Sequence, residues 1–210
     1  MSKTIKEIMS SSAIVPVMVI NNVEHAVPLA KALVKGGITT LEITLRTEAA
    51  LESITRIKAE VPDAIVGAGT IINIDTLNKA IAAGAEFIVS PGTTDAMIDA
   101  AIATGVPLLP GVANPSEAMR LLEKGITEMK FFPAEAAGGI PMLKSIGAPI
   151  PQITFCPTGG INQKNVNDYY KLSNVACVGG SWMCAANLVD DENWDEITRL
   201  SAEAIKLATA

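Results

Sequence analysis

The chain has 210 residues, of which 49% are apolar, 18% charged and only 4% aromatic, and its net charge is −6. That balance implies an aliphatic core of Ile, Val, Leu and Ala, and the length suits one domain spanning residues 1–210. No run of Lys or Arg can track a phosphate backbone and no stretch is long and apolar enough to span a bilayer, which excludes nucleic acid and membrane as partners.

The segment Met1-Ser-Lys-Thr-Ile-Lys-Glu7 lacks the apolar core of a secretory signal. The cysteines, Cys156, Cys177 and Cys184, are odd in number and form no CxxC pair. They read as buried, reduced thiols of a cytoplasmic protein. The single histidine, His25, lies far from them, so no metal site is expected. It reads as a surface residue at a helix entry, which leaves proton transfer to a carboxylate, an amine or a hydroxyl.

Short apolar or β-branched runs begin near Val15, Thr40, Ile65, Glu86, Val106, Glu128, Ile153 and Val175, at intervals of 21 to 25 residues. Amphipathic segments separate them, clearest at His25–Lys35, Ala49–Val61, Asp75–Ala83, Asp95–Thr104, Ser116–Lys124 and Asp195–Leu207. Several of these end in glycine just before the next run, as at Gly36-Gly37, Gly84, Gly105 and Gly125, the chemistry of a helix C-terminus feeding a strand. The nearly all-apolar runs Ala13–Ile20 and Val106–Leu109 suit strands covered on both faces. Eight such units predict an α/β fold of the (β/α)8 (TIM) barrel type. The competing doubly wound sheet is disfavoured, because Gly67-Ala-Gly-Thr70 lacks the third glycine of a dinucleotide fingerprint.

In such barrels the chemistry sits at the carboxyl ends of the strands. Alternation along Thr40-Leu-Glu-Ile-Thr-Leu-Arg46 puts Leu41, Ile43 and Leu45 on one apolar face and Thr40, Glu42, Thr44 and Arg46 on the other. An acid and a base facing the lumen are either a structural ion pair or part of a site. In Ile126-Thr-Glu-Met-Lys-Phe-Phe-Pro133 the same rule groups Glu128, Lys130 and Phe132 opposite Met129 and Phe131. Lys130 either snorkels to water past aromatic neighbours or is desolvated, loses basicity and becomes a carbonyl nucleophile. If both lumen assignments hold, Lys130, Glu42 and Arg46 share one cavity.

The last two strands end in Pro157-Thr-Gly-Gly160 and Val178-Gly-Gly-Ser181. Glycine pairs there are either tight turns or a backbone cradle for an anion, aided by the positive end of a following helix. Loops after strands seven and eight are the usual phosphate site of a barrel, so a phosphorylated ligand is expected. Thr70 and Pro91 fall just after strands three and four, where they can line the same mouth. A metal-dependent aldolase or isomerase, and a non-catalytic sensor of sugar phosphates, remain alternative functions for such a barrel.

The ordered segments Leu41-Glu-Ile-Thr-Leu-Arg46, Val66-Gly-Ala-Gly-Thr70, Ser90-Pro-Gly92, Lys130-Phe-Phe-Pro-Ala-Glu135, Cys156-Pro-Thr-Gly-Gly-Ile161 and Gly179-Gly-Ser-Trp182 carry a resemblance, extended toward the N-terminus by His25-Ala-Val-Pro. The chain resembles the 2-dehydro-3-deoxy-phosphogluconate (KDPG) aldolase and 4-hydroxy-2-oxoglutarate (KHG) aldolase family over nearly its whole length. The resemblance implies a class I lyase of the Entner–Doudoroff pathway, with Lys130 forming a Schiff base and Glu42 shuttling protons. It also implies that Arg46 and Thr70 bind the pyruvyl carboxylate, that Thr158 borders the aldehyde end, and that Gly159, Gly160, Gly180 and Ser181 cradle phosphate. Phe132 and Pro91 become apolar walls. A cytoplasmic homotrimer that needs no metal or other cofactor is implied as well. The loop residues Ala113-Asn114 and Ala136-Ala137 are where substrate tuning would vary.

Overall fold

A computed structural model describes residues 3–209. Among them the strands β1 (Ile14–Met18), β2 (Thr40–Thr44), β3 (Ile65–Gly69), β4 (Phe87–Val89), β5 (Leu108–Leu109), β6 (Gly111–Val112), β7 (Glu128–Phe131), β8 (Thr154–Pro157) and β9 (Val178–Gly180) alternate with helices. The hydrogen-bonded orders are β5-β4-β3-β2-β1-β9 and β6-β7-β8, every pair parallel. β5 and β6 are halves of one stave interrupted at Pro110, whose ring nitrogen has no proton to give a ladder. The Pro110 carbonyl still accepts from Lys130 N–H at 2.8 Å, so pairing runs on through the break. β8 joins β9 through bridges Phe155–Val175 and Thr158–Gly179. The eight staves therefore close into a (β/α)8 barrel, as the strand spacing predicts.

Period-two alternation divides the apolar residues into two cores. Ile14, Met18, Leu41, Ile43, Val66, Ala68, Ile88, Met129, Phe131 and Phe155 face outward against the helices. Val15, Ile65, Phe87, Val89, Leu109, Cys156 and Cys177 face inward, together with Ile8 and Met9 of helix α1 (Ile5–Ser11). Each fully buried Val, Leu, Ile, Phe or Met among them contributes about 1.5–3 kcal/mol of transfer free energy. α1 starts with a capping box in which Thr4 and Glu7 satisfy each other's backbone N–H groups. It closes the amino ends of the strands, and the Thr40 hydroxyl bonds the Ile8 carbonyl at 3.5 Å. With α1 packed across that end, the lumen opens toward the carboxyl ends.

The connecting helices are α2 (Ala26–Lys35), α3 (Ala50–Glu60), α4 (Ile74–Ala82), α5 (Asp95–Thr104), α6 (Pro115–Glu123), α7 (Gly139–Gly147), α8 (Val166–Tyr170), α9 (Ala186–Asp190) and α10 (Trp194–Thr209). Two strand starts differ from the sequence reading by more than one residue: the fifth begins at Leu108 instead of Val106, and the eighth at Val178 instead of Val175, which makes only an isolated bridge. The expected glycine stop is seen at Gly105, left-handed at φ 71° after α5. Among the described residues no helix is long and apolar enough to cross a membrane.

Candidate active site

Strand register builds the lumen layer by layer. Val17, Glu42 and Gly67 lie level on β1, β2 and β3, and Gly111, Lys130 and Cys156 lie level on β6, β7 and β8. Glu42 and Lys130 both point inward, so both lumen assignments hold, and they meet across the lumen. Lys130 Nζ is 3.2 Å from Glu42 Oε1 and 3.5 Å from Oε2. Lys130 is only 5% exposed and Glu42 3%. A buried ammonium or carboxylate alone would be strongly disfavoured, so each is the other's reason for being there. The Phe132 ring lies 5.4 Å from Nζ and adds a cation–π contact at the mouth.

Glycines shape the space around this pair. A β-carbon at Gly69 would overlap the Glu42 carboxylate, and one at Gly67 would overlap the Phe87 ring that fills the lumen beneath. A β-carbon at Gly111 would strike the carbonyl of Pro91, so the turn after β4 closes tightly over the stave beside Lys130. Pro91 is thereby half-buried against the stave that pairs with the lysine strand. Lower in the lumen, a hydrogen bond with Cys156 and then burial push the Cys177 thiol well above the usual thiol range.

Arg46 departs from expectation. β2 ends at Thr44, and Arg46 N–H turns back to the Thr44 carbonyl at 2.8 Å, which breaks the alternation. The guanidinium is exposed at the rim instead of sharing the buried cavity, and Arg46 Nε donates to Thr70 Oγ1 at 2.9 Å. Thr70 holds φ at 61°, in the left-handed region that a threonine rarely adopts. The two residues thus form a polar edge to the mouth, and four of the five guanidinium N–H donors lie on the Nη atoms, beyond the Nε used for Thr70.

On the opposite side Thr158 is 5% exposed, and its N–H donates to the Phe131 carbonyl at 2.9 Å, which ties it to the lysine strand. Its hydroxyl occupies the space where Gly179 lacks a side chain. Gly159 and Gly160 follow with φ of 103° and 80°, a pair of left-handed positions open to glycine at no steric cost. Gly180 leaves room for the Trp182 ring, and the exposed Ser181 opens the short 3-10 turn Trp182–Cys184. The Thr158–Gly179 bridge brings the two glycine loops side by side. The helix that follows the Gly159-Gly160 loop is α8, which starts six residues past Gly160, at Val166 (166 − 160 = 6), and has only five residues.

The cysteines are free and buried, as expected. His25 is more enclosed than a helix-entry surface residue, with a side chain 15% exposed and Nε2 3.3 Å from Glu192 Oε1. Its ring sits edge-on to Trp194 at 5.8 Å. Gly69 is a site-shaping position that pattern reading did not single out by function, because a residue without a side chain leaves no mark in a hydrophobic pattern.

A buried amine, a carboxylate within hydrogen-bond reach, a cationic rim and paired glycine loops can together form an imine, move protons and hold a doubly anionic ligand. The family model for KDPG and KHG aldolase matches residues 5–200. A 2-dehydro-3-deoxy-phosphogluconate aldolase of Dickeya dadantii (strain 3937) is 51% identical over 205 residues, covering 98% of this chain and 96% of the relative. The KHG/KDPG aldolase of Escherichia coli (strain K12) is 47% identical over 201 residues, covering 96% and 94%. Among solved structures, KDPG aldolase from Legionella pneumophila, with pyruvate captured at low pH as a covalent carbinolamine intermediate, superposes with a TM-score of 0.95. It is 46% identical and the match covers 98% of this chain and 99% of that one. The chain belongs to the KDPG and KHG aldolase family and is a lyase.

Proposed function

We propose that the chain is a class I aldolase that cleaves 2-dehydro-3-deoxy-6-phosphogluconate to pyruvate and glyceraldehyde 3-phosphate. The observation that carries this reading is the buried contact of Lys130 Nζ with Glu42 Oε1 at 3.2 Å. Glu42 accepts a proton from the lysine ammonium, and the freed amine attacks the C2 ketone. Glu42 then returns a proton to the carbinolamine hydroxyl, which leaves as water and gives a protonated imine. The carboxylate next removes the proton from the C4 hydroxyl. The C3–C4 bond breaks, its electron pair enters the iminium as a neutral enamine, and the aldehyde departs. Protonation of the enamine at C3 and hydrolysis of the imine release pyruvate. The imine is the electron sink, so the sequence of steps calls for no metal.

In this reading Arg46 and Thr70 hold the pyruvyl carboxylate at the rim, and Phe132 and Pro91 keep water from the amine. Thr158 lies along the aldehyde end. The backbone of Gly159, Gly160 and Gly180, with the Ser181 hydroxyl, takes the phosphate. The naming of the Escherichia coli relative as a KHG/KDPG aldolase supports a second substrate, 4-hydroxy-2-oxoglutarate, split into pyruvate and glyoxylate by the same bond cleavage. The family likeness further supports one barrel domain acting as a cytoplasmic homotrimer in the Entner–Doudoroff pathway.

The test is to incubate the protein with pyruvate, reduce with borohydride and map the adduct by mass spectrometry. A pyruvyl adduct on Lys130 is expected, and its absence there would overturn the mechanism. Sustained cleavage after exhaustive chelation distinguishes this chemistry from a metal-dependent aldolase.

A further inference from the structure

The phosphate loop is fastened to the lysine strand by a side-chain pair that the reaction itself does not use. Glu135 lies five residues past Lys130, in the loop between β7 and α7 (135 − 130 = 5). This loop is zipped to the glycine loop after β8: Ala134 N–H donates to the Thr158 carbonyl at 2.8 Å and Glu135 N–H to the Gly159 carbonyl at 3.1 Å. The methylene stem of Glu135 fills the space beside Gly160, where a β-carbon would overlap it. The carboxylate is drawn away from the glycine loop, because the Tyr169 hydroxyl on α8 donates a short hydrogen bond to Glu135 Oε1. Tyr169 is fully buried, and the same two oxygens crowd Gly139 at the start of α7. From the far side, the Asn162 and Asn165 side-chain amides donate to the Gly160 carbonyl at 3.2 and 3.1 Å.

We propose that Glu135 and Tyr169 are positioning residues for the phosphate end of the substrate, setting the Gly159–Gly160 backbone at a fixed offset from Lys130. The inference rests on the reading of that glycine pair as the phosphate cradle. Two left-handed glycines are otherwise free to reorient, because such residues have the widest backbone choice. With the Glu135 stem against Gly160 and Tyr169 holding the carboxylate back, the loop keeps one backbone conformation and no carboxylate oxygen intrudes on the anion. The Tyr169 hydroxyl is suited to the task, since burial first and the Glu135 hydrogen bond second raise its pKa and keep it a donor. Neither residue is assigned contact with substrate.

The experiment compares Tyr169→Phe, Glu135→Ala and Glu135→Gln with the unaltered enzyme. It uses three readouts: KM and kcat for the phosphorylated sugar acid, the inhibition constant of inorganic phosphate, and the pyruvate concentration giving half-maximal borohydride trapping on Lys130. Loss of one such hydrogen bond is expected to raise KM and the phosphate inhibition constant about tenfold in Tyr169→Phe and Glu135→Ala. Half-saturation by pyruvate, which carries no phosphate, stays unchanged, and Glu135→Gln recovers most of the loss by accepting from Tyr169. A fall in pyruvate trapping that matches the loss of phosphate affinity would overturn the inference, and so would unchanged phosphate affinity in all three variants. An unaltered enzyme indifferent to inorganic phosphate, with Ser181 variants that leave KM for the phosphorylated substrate unchanged, would overturn the cradle itself and this inference with it.

Discussion

The carboxylate of Glu42 occupies the space that a side chain at Gly69 would fill. The two residues lie on adjacent strands, with Glu42 paired to Gly67 and Thr44 to Gly69, so the acid rises diagonally toward a gap one layer above its own. That gap lets a glutamate inside a narrow barrel reach Lys130 Nζ. The absence of a β-carbon on β3 is therefore part of the site as much as the charged groups are.

Replacing Gly69 by Ala is expected to push the carboxylate off the lysine. Overpacking of this kind costs about 1–3 kcal/mol, and 1.4 kcal/mol corresponds to a tenfold change in rate. We expect kcat to fall roughly ten- to hundredfold. Thermal melting should show the barrel still folded. Wild-type turnover in Gly69→Ala would mean that the glycine has no part in holding the acid.

Glu42→Gln preserves shape and removes the proton carrier. General acid–base groups contribute roughly 10²–10⁴-fold, and a loss of kcat in that range is expected with little change in KM. The check is steady-state cleavage coupled to pyruvate reduction. Retention of even a tenth of the normal rate would move the proton transfers to another group.

The buried contact of Glu42 with Lys130 was legible because strand alternation is rigid: both sit within strands, where a period of two cannot slip. Arg46 was misplaced because the same rule was carried two residues past the end of β2, into a turn that obeys no period (46 − 44 = 2). α1, α7, α8 and α9 fell outside the helices read from sequence for local reasons. α1 has only seven residues and α8 and α9 five each, too short for a periodic signal, and α7 opens with Gly138-Gly139 and Pro141, which read as turn chemistry. The plug formed by Ile8 and Met9 and the crossing contacts of Gly69, Gly179 and Glu135 depend on which strands become neighbours. Only barrel closure decides that.

Arg46→Ala and a bulky replacement of Ser181, such as Ser181→Leu, should separate the two ends of the substrate. Charge-assisted hydrogen bonds contribute about 1.5–3 kcal/mol, roughly ten- to hundredfold in affinity. Arg46→Ala is expected to raise KM by that factor for phosphorylated and unphosphorylated 2-keto acids alike, because both carry the carboxylate. Ser181→Leu should raise KM only for the phosphorylated one. Equal effects of Ser181→Leu on both substrates would remove Ser181 from the phosphate site.

Alkaline pH should weaken the fold through groups that the reaction does not use. Burial pushes the Cys184 thiol from 9.0 up to about 12. The Cys177 thiol and the Tyr169 and Tyr170 hydroxyls are also raised, the tyrosines chiefly by burial and Cys177 chiefly by its hydrogen bond with Cys156. A raised folded-state pKa means that the native protein holds its proton where the unfolded chain has lost it. The stability is fully present below the unfolded value and is lost as pH rises toward the folded one. For Cys184 that window runs from pH 9.0 to about 12. The urea midpoint should therefore hold steady up to about pH 8.5 and fall progressively through pH 10.5, reversibly on return to neutral pH. Cys184→Ala should make the decline shallower, since one of the four groups then no longer titrates. A urea midpoint that stays flat across this range would show that these hydroxyls and thiols ionise in the native state as they do in the unfolded chain.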